Sequence, residues 1–258
     1  MLTPDVLFED SDILVIEKPA GFIVNRADTT VNQPTVQEWA EEILNIKYKR
    51  ANRKEGSEFV KRGGVVHRLD KETSGILIIA KNEESFENLQ RQFKESRVKK
   101  TYIALCHGEI KPPEGEVKIP IGRLPWNRMR FGVLPQGREA RSKYKVLSIK
   151  YLPRTDAVRG LVSNGEREPL SLVEVYPETG RTHQIRVHMQ YIGHPVFADE
   201  LYAGRKVSKR DRKLLPRHFL HASKISFIHP KTGRSMEFES TLPPDLENFL
   251  SSLKTVQQ

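Results

Sequence analysis

The sequence predicts an α+β fold: a mixed, largely antiparallel central sheet flanked by helices and loops. Two observations lead there. Strand-like segments outnumber helical ones, and their order is irregular, without the steady strand–helix alternation of βαβ units. A third, the run Ile76-Leu77-Ile78-Ile79, is continuously apolar over strand length and reads as a strand buried on both faces.

The elements follow in order. Asp12 to Lys18 reads as a strand, stopped by Pro19 and Gly21. Thr35 and Glu38 have capping-box spacing, and Trp39, Ile43 and Leu44 follow at helical intervals. The basic segment to Gly64 reads as a loop with a helical start. After the apolar strand, Glu83 to Ser96 carries Phe86, Leu89 and Phe93 on one helical face. Thr101 to Leu105 reads as a strand, and the Pro- and Gly-rich stretch from Lys111 to Gly137 as a loop. Ser142 to Ile149 and Leu170 to Tyr176 alternate apolar and polar residues, as half-buried strands do. Thr182 to Tyr191 reads as a helix closed by Gly193, with Thr182 as its cap and Gly180 turning the backbone. Lys224 to Ile228 and Met236 to Glu239 form a hairpin around Pro230-Lys231-Thr232-Gly233.

Composition narrows the function. The chain has 258 residues, 37% hydrophobic and 29% charged, as ordinary globular proteins have. No apolar run approaches the ~18 residues that span a membrane, and the first residues lack a signal-peptide pattern. Cys106 is the single cysteine, which excludes disulfide scaffolds and suits a reducing cytoplasm. Lys and Arg number 43 against 33 Asp and Glu, a net charge of +10. That surplus suits a polyanion, because each phosphate contact releases counterions. It is concentrated from Lys47 to Arg62, from Arg91 to Lys100 and from Arg205 to Arg217, where Asp211 is the only acid.

Two polar segments carry the candidate chemistry. Val66-His67-Arg68-Leu69-Asp70-Lys71-Glu72-Thr73-Ser74-Gly75 runs straight into the buried strand, which holds a reactive group rigidly. In Glu178-Thr179-Gly180-Arg181-Thr182-His183-Gln184-Ile185-Arg186-Val187-His188, Arg181 sits where a loop becomes a helix, free to reach a carboxylate. Bland readings stand beside these: a solvated turn for Asp70, a surface arginine for Arg181, strand packing for Tyr102. His183 and His188 are five apart, not the four that put two metal ligands on one helical face.

These two segments resemble the signature motifs of the RluA-type pseudouridine synthases. The resemblance extends to Glu17-Lys18-Pro19-Ala20-Gly21, to Lys99-Lys100-Thr101-Tyr102-Ile103-Ala104, and to Arg217-His218-Phe219-Leu220-His221-Ala222 with Phe227-Ile228-His229-Pro230. It implies one catalytic domain over residues 1–258, without the separate N-terminal RNA-binding domain many relatives carry. Asp70 is then the nucleophile, Tyr102 the tyrosine that stacks on the target base, and Arg181 the arginine that pairs with the aspartate. Arg68 is linked to base flipping. His67, Thr73, His183, Gln184 and Arg186 complete the substrate-binding set. The implied partner is structured RNA, ribosomal or transfer, bound by a cytoplasmic monomer. Asn25 and Ala198 depart from the family pattern, where His and Gly are common.

The chemistry agrees with such a set. Moving uracil from its nitrogen link to a carbon link changes no oxidation state and loses no group, so neither cofactor nor metal is called for. An ordinary Asp, with a pKa of about 3.9, is charged at neutral pH and can act as nucleophile. Extruding a base costs a few kcal/mol, and an aromatic face returns about 1–3 kcal/mol by stacking. Two other classes compete: a glycosidase-like pair, Asp70 with Glu72, that releases uracil, and a non-catalytic RNA-binding or ribosome assembly factor.

Overall fold

The computed structural model describes residues 3–26, 33–46, 56–152 and 168–255. Most of the first basic cluster, Lys47 to Lys54, lies outside them. In chain order the strands are β1 (Asp5–Glu9), β2 (Ile13–Lys18), β3 (Ser74–Ala80), β4 (Lys99–His107), β5 (Glu114–Arg123), β6 (Phe131–Val133), β7 (Arg138–Tyr151), β8 (Pro169–Pro177), β9 (Leu220–Ile228), β10 (Ser235–Glu239) and β11 (Lys254–Thr255). The helices are α1 (Val36–Ile43), α2 (Glu58–Arg62), α3 (Glu83–Lys94), α4 (Gln184–Tyr191), α5 (Arg205–Asp211) and α6 (Pro244–Ser252). Strands paired largely antiparallel, with helices around them, make this the α+β fold that the sequence predicts.

The chain divides into two compact units. The first comprises Met1–Lys99 and Ala222–Ser240. Here β2 pairs with β1 and β3 antiparallel, β9 lies beside β3, and β10 folds back on β9 as the expected hairpin. All seven β3 residues are buried, the reason the run lacks polar alternation. Its core joins Ile13, Val15, Ile76 and Ile78 to Phe86 and Leu89 of α3 and to Ile225 and Phe227 of β9. The capping box of α1 is formed as read: Thr35 Oγ1 accepts from the Glu38 amide, and the Glu38 carboxylate accepts from the Thr35 amide.

The second unit comprises Lys100–His221 and Thr241–Gln258. Antiparallel pairs run β4 with β8, β8 with β7, β7 with β5, and β5 with β6. The loop expected from Lys111 to Gly137 is corrected by this: β5 and β6 occupy much of it. Val117 and Ile121 are buried and Ile119 partly so, a strand alternation that Pro120 and the flanking glycines disguise. β1, whose residues are almost all exposed, gave no period to read. Among the described residues no helix is long and apolar enough to cross a membrane.

Candidate active site

In the first unit, the loop from Val66 to Thr73 is fastened at several points. His67 Nε2 accepts the Ile78 amide at 2.9 Å, so its proton sits on Nδ1, and the ring stacks on Phe93 at 4.6 Å. The Thr73 amide donates to the Asp70 carbonyl at 3.1 Å, closing a turn around the aspartate. Lys18 is fully buried and donates to the carbonyls of Pro19 (2.8 Å), Phe22 (2.9 Å) and Lys71 (3.2 Å). It ties the end of β2 to the residue next to Asp70. Gly75, the second residue of β3, has φ +115°; a Cβ there would lie 2.3 Å from the Ala222 carbonyl oxygen. Asp70 is partly exposed, Arg68 exposed and Thr73 buried.

In the second unit, Tyr102 lies on β4 opposite Val175 and packs on the core that holds Ile185 and Met189 of α4. Two residues earlier, on the same face of the strand, Lys100 Nζ donates to the Thr179 carbonyl at 3.3 Å. β4 therefore meets the loop that carries Arg181. Burial lowers the Lys100 pKa to about 8.

Gln184 organises that loop. Its carbonyl accepts from the Thr179 hydroxyl (2.6 Å) and the Arg181 amide (3.0 Å); its amide donates to the Arg141 carbonyl and Ser142 Oγ, both at 2.9 Å. Arg181 Nε donates to the Glu139 carbonyl at 2.9 Å. Burial and the neighbouring Arg138 charge lower the Arg181 pKa. The left-handed residue at the helix start is His183, φ +56°, and not Gly180; Thr182 is not the cap. His183 Nδ1 lies 2.8 Å from the Tyr202 hydroxyl. Arg186 is buried in a two-pronged pair with Asp199, at 2.6 and 2.9 Å. Burial alone would raise the Asp199 carboxyl, but Arg186 holds it below the usual range. Gln184 and Arg186 thus spend the groups named here within the fold and position the loop.

Sequence reasoning missed Lys18 and Lys100, although both lie in the quoted motifs. The signal was a lysine inside an otherwise apolar strand or before a motif tyrosine.

Asp10, Asp12 and His229 of the first unit offer three ligand atoms within 4.8 Å of one another. Their hydrogen bonds oppose a metal. His229 Nδ1 accepts from the Lys231 and Thr232 amides, so Nε2 carries the proton and donates to Asp10 at 2.8 Å. Asp10 also accepts from the Asp12 and Ile13 amides. The cluster closes a turn.

Residues 12–191 match the RNA pseudouridylate synthase family. Ribosomal large subunit pseudouridine synthase D of Neisseria meningitidis serogroup B is 37% identical over 257 residues, which are 97% of this chain and 61% of that protein. The Bacillus subtilis protein YlyB, named as an uncharacterized RNA pseudouridine synthase, is 35% identical over 251 residues, 97% of this chain and 73% of that protein. Among solved structures, human RNA Pseudouridylate Synthase Domain Containing 1 superposes with a TM-score of 0.70 at 26% identity, covering 99% of this chain and 91% of that one. The chain belongs to the RNA pseudouridylate synthase family. It spans less than two thirds of the length of the Neisseria protein.

Proposed function

We propose that this chain isomerises a uridine within RNA to pseudouridine. The observation that carries the reading is the fastening of both motifs within a chain of this family: Lys18 and His67 fix the loop of Asp70, and Lys100 and Gln184 fix the loop of Arg181. Rigid support of this kind suits groups that must meet a reacting base in one geometry.

In the proposed mechanism Arg68 helps extrude the uridine from its stack, at a cost of a few kcal/mol. Tyr102 offers the uracil an aromatic face. The Asp70 carboxylate acts as nucleophile, and the bond from sugar to N1 breaks. Arg181 stabilises the carboxylate charge. The uracil turns, the sugar carbon passes from Asp70 to C5 as the carbon–carbon bond forms and the bond to Asp70 breaks, and the C5 proton is removed with help from Tyr102 while N1 regains one. The product has the atoms of the substrate. His67, Thr73, His183, Gln184 and Arg186 serve by shaping these loops, and the two units act as one catalytic domain over residues 1–258. The names of relatives favour large-subunit ribosomal RNA over transfer RNA as substrate. We infer a cytoplasmic monomer.

The test compares total RNA, by mass and chemical probing, from cells expressing the wild type or Asp70→Asn. New pseudouridine with the wild type alone is the expected result. If both proteins bind RNA and neither changes it, the chain is a binding or assembly factor; release of free uracil would make it a glycosidase.

A further inference from the structure

The basic stretch from Arg205 to Lys213 has no part in the chemistry above, yet it lines the edge of a cleft of about 760 Å³ within the second unit. Arg130, Arg205, Lys209, Arg212 and Lys213 face it against a single acid, Glu200. Glu200 lies 3.7 Å from Arg212. Among the described residues, no acidic side chain pairs with Arg205, Lys209 or Lys213.

The floor of the cleft is Tyr202, only 4% exposed. Two guanidinium groups lie over its ring: Arg186 at 5.1 Å and Arg130 at 5.2 Å. Their situations differ. Arg186 is neutralised by Asp199. Arg130 Nε is buried with no hydrogen-bond partner. A guanidinium held on an aromatic face, with an unused donor and other cations around it, is set for an oxyanion with several acceptor oxygens. The Tyr202 hydroxyl accepts the Phe131 amide at 3.0 Å and meets His183, two residues beyond Arg181. An anion seated on Arg130 therefore lies one side chain away from the loop of Arg181.

We infer that this cleft is a docking site for the phosphodiester backbone of the RNA, with Arg130 as its fixed anchor and Arg205, Lys209 and Lys213 as its adaptable rim. The inference rests on the proposed RNA synthase reading and adds where that RNA is gripped. Phosphate contacts position a nucleic acid without reading its sequence, so the site would serve any target that also presents a uridine to Asp70.

The experiment measures binding of polyuridylate and of a large-subunit rRNA transcript across a salt series, with pseudouridine formation followed on the transcript. The triple variant Arg205→Gln, Lys209→Gln, Lys213→Gln is compared with a control of equal charge loss, Lys94→Gln, Lys231→Gln, Lys254→Gln. The cleft variant is expected to bind about tenfold or more weakly near 0.1 M salt, with the slope of log K against log salt shallower by about 2. Its KM for the transcript rises, and more RNA restores turnover. Arg130→Gln alone should lower the slope by about 0.7. Wild-type slopes in both cleft variants, or an equal loss in the control, overturn the inference while pseudouridine formation still supports the synthase reading. Absence of pseudouridine with the wild type, together with the slope change, sinks the synthase reading and leaves the cleft an RNA site.

Discussion

Replacing His107 with Gln probes the charge arrangement that seats α5. His107 ends β4, and its ring is gripped from both sides: Nδ1 is 2.8 Å from Glu168 and Nε2 is 2.8 Å from Asp211. Arg210 adds contacts of 2.6 Å to Glu168 and 2.9 Å to Asp211. Burial disfavours the imidazolium, but the hydrogen bonds and charges of Asp211 and Glu168 outweigh it and raise the pKa to about 9. An unfolded histidine titrates near 6.5. A pKa raised on folding stabilises fully below the unfolded value and fades as pH climbs through the folded one. The gap, at about 1.4 kcal/mol per pH unit, comes to about 3 kcal/mol. The lowered Glu168 pKa, about 2, expresses the same contacts and is not added. Lys100 acts oppositely: its penalty, imposed by burial, is relieved as pH rises above about 8. The difference between wild type and His107→Gln isolates the histidine. Urea unfolding from about pH 6 to about pH 10 should show a stability gap of about 3 kcal/mol at the acid end that shrinks through pH 9. A gap independent of pH would refute the reasoning.

Further expectations concern the loops. Lys18→Met leaves three carbonyls without their donor; it should cost about 2–3 kcal/mol in urea unfolding and lower kcat as the Asp70 loop loosens. Gln184→Leu orphans the Thr179 hydroxyl and the Arg181 amide and should cost about 2 kcal/mol, with kcat/KM falling and Arg141 amide exchange rising. Ala198, fully buried, sits at φ +59°, in the left-handed region that favours glycine. Ala198→Gly relieves about 1 kcal/mol of left-handed strain and loses a similar amount in methyl burial and chain entropy. Its stability should stay within about 1 kcal/mol of wild type, whereas Ala80→Gly in β3 should cost about 1–2 kcal/mol. Asp70→Asn should abolish pseudouridine formation while leaving RNA binding intact.

What the sequence made legible was local. The β3 run, the Thr35–Glu38 capping box, the α3 stripe and the β9–β10 hairpin each depend on neighbours within a few residues, and the structure carries all four. β5 escaped because Pro120 and two glycines sit inside its alternation. Long-range partners were out of reach: His107 meets residues 61 and 104 positions away. The resemblance put Gln184 and Arg186 in the substrate-binding set, and the structure shows both making contacts that hold the loop; a residue that holds a loop and one that touches a substrate look alike in one dimension. Lys18 was missed because a lysine is almost never fully buried, and its three carbonyl acceptors come from turns whose conformation the residue types leave open.

The path of the backbone through the two units bears on how the protein is made. Neither unit is a continuous stretch: the chain leaves the first at Lys99, returns at Ala222, and leaves again after Ser240. On the ribosome, the unit with Asp70 lacks β9 and β10 until Ser240 has emerged. The other half waits as well, because Leu246, Phe249 and Leu253 complete its core. Both therefore wait for residues beyond Ala222. A premature stop or a frameshift upstream of β9 therefore yields neither unit with a finished core, and a truncated product meets the cell's proteases with apolar strands still uncovered.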